Sequence, residues 1–138
     1  MYGSLDISTS GMIAQRTRLE VISANIANSS AILNAAGEYE PYRRRVAYLS
    51  SGDPSASDPS GRAMGAHVKQ IGLDDAPLVP RYQPGSKYAD ERGYVMYPNV
   101  NSANERVDAL EAVRAYEANV AAVEASKDMF DQALTLLA

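Results

Sequence analysis

Two long stretches of helical apolar spacing open and close this chain, and they constrain it more than anything between them. From about Leu5 to Ile26, steps of three then four residues pick out Leu5, Ser8, Met12, Gln15, Leu19, Ile22 and Ile26. From about Glu105 to Leu137 the same step picks out Ala109, Val113, Tyr116, Val120, Val123, Lys127, Phe130, Leu134 and Leu137. Such a stripe is the seam of a helix that packs lengthwise on another helix. At about 1.5 Å per residue the first helix is roughly 33 Å long and the second roughly 50 Å. A buried Val, Leu, Ile or Phe contributes about 1.5–3 kcal/mol, whereas ordering each residue costs about 1–2 kcal/mol. With Ser8 and Gln15 facing the partner, an isolated pair of these helices is marginal. Helices bundled from many subunits bury more than one face, so the pattern reads as an assembly subunit. Lys127 breaks the second stripe and is expected to set register or partner choice; an unchanged assembly of Lys127→Leu would exclude that role.

Local signals mark the helix ends. Ser4 is a plausible N-cap, and Asp6 suits the positive end of the first helix dipole. Gly11 lowers helix propensity, so packing must hold that region. Arg16, Arg18 and Glu20 are expected on the solvated side. The helix is expected to end near Asn25-Ile26-Ala27-Asn28, with Asn in a left-handed cap. Ser102-Ala103-Asn104-Glu105 matches a capping box at the start of the last helix. Alanines throughout that helix favour helix formation and permit close approach of a neighbour.

Between the helices the period changes to two. Ser29 to Glu40 is small and polar with Gly37, a loop. Pro41 to Leu49 alternates, with Tyr42, Val46 and Tyr48 on one side and Arg43, Arg45 and Ala47 on the other, a strand pattern. Ser50 to Arg62 is a turn-rich, low-complexity loop. Further strands are expected over Ala66 to Ile71, Leu78 to Tyr82 and Tyr94 to Tyr97, the last stopped by Pro98. The chain thus divides into an N-terminal axial helix (1–30), a β-rich middle module (31–101) with a flexible loop at 50–62, and a C-terminal axial helix (102–138). The fold class is α+β, with the terminal helices pairing as a coiled coil.

The residues argue against catalysis. His67 is the only histidine, set in a predicted strand with neither nucleophile nor metal partner beside it. The pairs Asp74-Asp75 and Asp90-Glu91 lie beside turn residues, where solvation explains them. Gly61 to Gly65 lacks the lysine and following helix of a phosphate loop. No cofactor or metal is expected. A net charge of -4 lacks the basic footprint of a nucleic-acid binder. There is no cysteine, which suits the cytoplasm and equally a chain kept unfolded for export. No cleavable signal is visible at the start, and no run approaches the roughly 20 apolar residues of a membrane span.

Leu5-Asp6-Ile7-Ser8-Thr9-Ser10-Gly11-Met12-Ile13-Ala14-Gln15-Arg16, followed by Val21-Ile22-Ser23-Ala24-Asn25-Ile26-Ala27-Asn28, resembles the N-terminal signature of bacterial flagellar rod and hook proteins. Pro41-Tyr42-Arg43-Arg44, Gly93-Tyr94-Val95-Met96-Tyr97-Pro98-Asn99-Val100-Asn101 and Arg114-Ala115-Tyr116-Glu117-Ala118-Asn119-Val120 narrow the resemblance to a proximal-rod member of that family. The stretch Ser29 to Glu40 departs from the family's usual Thr- and Gly-bearing pattern.

The resemblance implies a non-enzymatic structural subunit of the flagellar basal body. It would be exported by the flagellar type III apparatus without a cleaved signal and assembled in the periplasmic space. Its partners would be itself, other proximal- and distal-rod proteins and the membrane-ring/rod junction protein. The terminal helices would form the inner coiled-coil tube, poorly ordered before assembly, and would carry torque toward the distal rod and hook. Candidate subunit-interface residues are Leu5, Met12, Leu19, Ile22, Asn25, Ile26 and Asn28 in the first helix. In the second they are Val113, Tyr116, Asn119, Val120, Val123 and Phe130. Asn25, Asn28 and Asn119 suit bonding to a neighbour's backbone, and equally simple capping or solvation. The competing reading is a soluble adaptor or chaperone of the export apparatus; a small hydrolase using His67 is a distant third.

Overall fold

The computed structural model describes residues 3–52 and 64–137. Helix α1 runs Gly3–Ala27 and helix α2 runs Ser102–Leu137. Between them lie β1 (Arg45–Ser51), β2 (Ala66–Leu73), β3 (Val79–Tyr82) and β4 (Tyr94–Tyr97). The architecture is α+β, as the periodicities predict. Most of the predicted loop at 50–62, and the Leu137 side chain, lie outside the described residues.

The strands form two separate antiparallel hairpins, β1–β2 and β3–β4. Tyr48 pairs with Gln70 but Leu49 with Val68, so Lys69 is the extra residue of a bulge that twists the ribbon. The β1–β2 hairpin packs on α1. Its second strand is fastened there by Ser10, whose Oγ accepts from Ala66 N at 3.1 Å and donates to Ile7 O at 2.7 Å. The β3–β4 hairpin stands off the helices. Tyr39 tethers it, stacking on Tyr88 (centroids 5.1 Å apart) and taking a hydrogen bond from Met96 N at 2.9 Å. Asp90 shapes its turn by accepting from Arg92 N and Tyr94 N at 2.9 and 2.8 Å.

The Ser29 to Glu40 stretch is more ordered than a plain loop. Leu33 bridges Tyr39, and Asn34 Oδ1 accepts from Ala36 N and Glu38 N, both at 3.0 Å. Gly37 supplies the left-handed backbone, φ 81°, that this tight turn needs.

Four local expectations require correction. Strand pairing begins at Arg45, not Pro41: Tyr42 N is taken by Ala31 O, and the Tyr42 and Arg44 side chains turn to Asn25 and Glu105 of the helices. No described non-glycine residue has positive φ; α1 ends instead with the Asn28 side chain and backbone N–H both donating to Ala24 O, at 2.8 and 3.0 Å. The N-cap of α2 is Asn101, whose Oδ1 accepts from Ala103 N at 3.0 Å and Asn104 N at 3.4 Å. Glu105 therefore makes no capping box with Ser102, being drawn into the interior. Arg18 is not on the solvated side: it reaches across to Glu111 of α2 at 3.3 Å, leaving Arg16 and Glu20 as the exposed pair.

Candidate functional site

Three contacts fix the pairing of the terminal helices as antiparallel. Asn25 meets Glu105, Arg18 meets Glu111, and Gly11 meets Asn119. At Gly11 the helices touch: a Cβ there would lie 2.9 Å from Asn119 Oδ1, so the glycine that weakens α1 is what permits the approach. The face of α2 turned inward is small and polar. Glu105, Ala112 and Ser126 are buried, with Asn119 and Ala133 half-buried, one residue every seven. On α1 the buried residues are Ser8, Ala14, Val21, Ile22 and Asn25.

This inward seam is rotated from the one the apolar spacing predicts. On α1, Ile22 is buried, but Leu5, Met12, Leu19 and Ile26, again seven apart, are only half-buried at its edge. On α2, Val113 and Tyr116 are exposed, while Val120, Val123 and Phe130 are half-buried. Asn119 donates to its own Ala115 O at 2.8 Å, and Lys127 is exposed beside buried Ser126. Val107, Leu110, Met129, Leu134 and Leu136 are 61% to 88% exposed. The helices also differ in length, 25 residues against 36. With Gly11 opposite Asn119, the start of α1 falls beside about residue 127, so roughly ten residues of α2, about 15 Å, run past it. Apolar surface is thus left outside the helix pair.

At the other end the helices are fastened by a buried polar cluster. Asn25 is 1% exposed and spends its whole hydrogen-bonding capacity there. Its Oδ1 accepts from Tyr42 Oη and Arg45 N, both at 2.9 Å. Its Nδ2 donates to Arg45 O at 2.8 Å and Glu105 Oε2 at 3.0 Å. The amide thus occupies both main-chain groups of Arg45 as a neighbouring strand would, which fixes where β1 starts.

Glu105, also 1% exposed, would be costly as an isolated charge. Arg44 compensates it with Nε at 2.6 Å from Oε1. The same guanidinium reaches Asp74 Oδ2 at 3.4 Å and Asp108 Oδ2 at 3.5 Å. Arg44 N donates to Asn99 Oδ1 at 3.1 Å, and Asn99 Nδ2 donates to Ala76 O at 3.2 Å. Burial alone would pull the Arg44 pKa down, but the bonds and charges of Glu105 and Asp74 outweigh it and hold it above its ordinary value. Burial pushes the Tyr42 hydroxyl up; the Arg45 charge opposes this and Glu105 adds to it. One cluster therefore joins α1, the segment entering β1, the end of β2 and the start of α2.

Sequence reasoning found Asn25 but missed Tyr42, Arg44 and Glu105. The usable signals were the period-two alternation, which puts Tyr42, Arg44 and Val46 on one side, and the seven-residue recurrence from Glu105 to Ala133. His67 is a sheet residue opposite Ser50, its Nδ1 lying 2.7 Å from Gly52 O, an arrangement that places the proton on Nδ1. No group of three or more potential metal ligands occurs among the described residues, and no helix among them is long and apolar enough to cross a membrane.

Two terminal helices clasped to a small β module, with apolar surface left outside the pair, define a structural subunit of a larger assembly. Residues 5–30 match the family described as flagella basal body rod protein, and residues 91–136 the flagellar basal body rod FlgEFG protein C-terminal family. The chain is 38% identical over 145 residues to the flagellar basal-body rod protein FlgC of Bacillus subtilis, covering 98% of this chain and 97% of that one. It is 36% identical over 153 residues to the protein of the same name from Borreliella burgdorferi, covering 99% and 97%. A third, from Yersinia enterocolitica, is 36% identical over 131 residues, covering 95% and 93%. The chain belongs to the flagellar basal-body rod protein FlgC family, which is structural and not enzymatic.

Proposed function

We propose that this subunit polymerises through its terminal helices in the proximal rod and passes torque toward the distal rod and hook. The observation that carries the proposal is the apolar surface left uncovered on α2, from Val107 and Leu110 to Leu134 and Leu136. Total accessible surface supports it. The chain exposes 9547 Å² at a mass of 14.8 kDa, whereas a compact monomer of that mass exposes roughly 7,000 Å². The excess, about 2,500 Å², marks a chain that leaves more of its surface open than a compact monomer does.

In this reading Leu5, Met12, Leu19 and Ile26 form one contact stripe and Val113, Tyr116, Val120, Val123 and Phe130 another. Asn28 and Asn119 lie at the stripe edges. Ile22 and Asn25 hold the helix pair together from inside. The partners are further copies, other proximal- and distal-rod subunits and the membrane-ring/rod junction protein. Export through the flagellar type III apparatus without a cleaved signal, and assembly in the periplasmic space, complete the proposal. The middle module, on the β side of the pair, discriminates neighbours.

The test is complementation of a deletion in the motile host with wild type or with Leu110→Asp/Val113→Asp. Motility, basal bodies by electron microscopy, and secretion of later rod and hook subunits are scored. A carboxylate forced into an apolar contact costs more than the roughly 2–7 kcal/mol of an unbonded amide or hydroxyl. Both the deletion and the variant should stop at a rodless ring complex. Complete rods without the protein would refute the reading and favour an export adaptor.

A further inference from the structure

We infer that the Asn25–Arg44–Glu105 cluster is a register lock: it selects one axial alignment of α1 against α2 that the helix seam itself does not specify. Register in a helix pair comes from side chains that fit in one alignment only. The inward line of α2 lacks them, since Ala112, Asn119, Ser126 and Ala133 are all small or polar and recur every seven residues. At the closest approach, Gly11 faces Asn119. A shift of one heptad, about 10 Å, would put Ala112 or Ser126 there instead, and each is smaller than Asn119.

Within the seam only the Arg18–Glu111 pair, with Glu111 largely exposed, opposes that shift, and such a pair contributes little, whereas the buried cluster opposes it strongly. Asn25 has a complementary partner at Glu105, and the residue seven further along is Ala112, which has no polar side chain. Arg44 finds carboxylates at Glu105 and Asp108 only in the observed alignment. The connection into α2 can follow a shift once the cluster is broken and Asn99, which ties that connection to Arg44 N and Ala76 O, is also removed; the hairpin before it stands off the helices.

The consequence for assembly rests on the rod reading. The overhanging end of α2 presents Met129, Leu134 and Leu136 at a fixed height only if the register is fixed. A displacement of about 10 Å would move that apolar end by two turns relative to the β module.

The absence of cysteine makes the test direct and confines it to the monomer, so its failure is separable from failure of the rod reading. Cysteine pairs are introduced at Gly11→Cys with Asn119→Cys, or with Ala112→Cys or Ser126→Cys in an Asn119→Ala background, since a Cβ on Gly11 would otherwise meet Asn119 Oδ1 at 2.9 Å. The first reports the observed register, because a Cβ on Gly11 lies 3.1 Å from Asn119 Cγ, within disulfide reach. In the wild-type background, only the pair with position 119 should close under mild oxidation. The lock is then removed by Arg44→Leu/Glu105→Leu in an Asn99→Ala background, which takes out the buried Glu105 carboxylate together with its half-buried partner, so that no charge is left buried and unpaired at position 105.

Helix content by circular dichroism should persist while cross-linking at 119 falls at least twofold and product appears at 112 or 126. Arg44→Lys keeps the charge but not the forked geometry, and should give an intermediate distribution. Exclusive closure at 119 in the double variant overturns the inference. If the double variant loses its helices, an Arg44→Lys protein that closes only at 119 overturns it equally.

Discussion

Replacing Asn25 tests the clasp most severely, because its four hydrogen bonds can be counted. Asn25→Ala removes two donations, to Arg45 O and Glu105 Oε2, and two acceptances, from Tyr42 Oη and Arg45 N. A neutral hydrogen bond contributes about 1 kcal/mol net and one to a charged group about 1.5–3 kcal/mol. The four together represent roughly 4–6 kcal/mol, and water entering the space left by the amide returns part of that. A loss of about 3–5 kcal/mol is expected, a large share of the 5–15 kcal/mol that stabilises a typical domain. Urea unfolding followed by far-UV circular dichroism and tyrosine fluorescence measures it. The isosteric Asn25→Asp should be worse than alanine, since it turns a carboxylate oxygen toward Glu105 Oε2 and Arg45 O where the amide donated. A loss below about 1 kcal/mol for alanine, or an aspartate variant as stable as wild type, would refute the account.

Three further outcomes follow from the same geometry. Gly11→Ala should destabilise despite a gain of about 1 kcal/mol in helix propensity, because its Cβ meets Asn119 Oδ1 at 2.9 Å; adding Asn119→Ala should reverse the sign, read by thermal unfolding of both variants. The Tyr42 pKa is raised on folding above its ordinary 10.0. Its contribution is therefore complete below pH 10 and is lost as pH rises through the raised value; Tyr42→Phe should flatten that alkaline decline in denaturant titrations. Hydrogen exchange should be fastest beyond about residue 127 of α2 and slowest where Glu105 to Asn119 faces α1, a gradient that uniform protection along α2 would contradict.

What was legible in the sequence divides along a physical line. Both helices and the four strand positions were readable because hydrophobic period is local, and Tyr94–Tyr97 was placed to the residue because Pro98 ends the run. The inner line of the helix pair is rotated from the apolar stripe, because apolar spacing does not tell which partner a face packs on. Leu5, Met12, Leu19 and Ile26 lie at the edge of the pair, whereas its inner line includes Gly11, Arg18 and Asn25. The clasp was illegible because its bonds span 17 to 80 positions, and no local rule distinguishes Arg44 from Arg43 and Arg45 except alternation. Asn101 took the cap once Glu105 was claimed by Asn25 and Arg44, a tertiary bond overriding a local motif.

The rotation explains how one sequence can serve both a single chain and an assembly. Had the largest apolar side chains of α2 turned inward, the pair would be more stable alone but would offer neighbours only a polar exterior. Here the small and polar residues hold the pair together, while Val107, Leu110, Met129, Leu134 and Leu136 stay outside. Small residues permit close approach but bury little apolar area each, so the seam contributes modestly at about 25 cal/mol per Å². A weak, repetitive seam then needs an independent source of alignment. A fully satisfied polar cluster suits that role, because its bonds are directional and a shift leaves buried groups without partners at about 1–3 kcal/mol each. The cluster's share of stability is therefore expected to be largest in the free subunit. On the proposed rod reading, neighbours that cover the outer stripe would add their own constraint on register. Clasp variants should accordingly lose more stability as monomers than in an assembled rod, measurable as a smaller difference in urea midpoint once the subunits are polymerised.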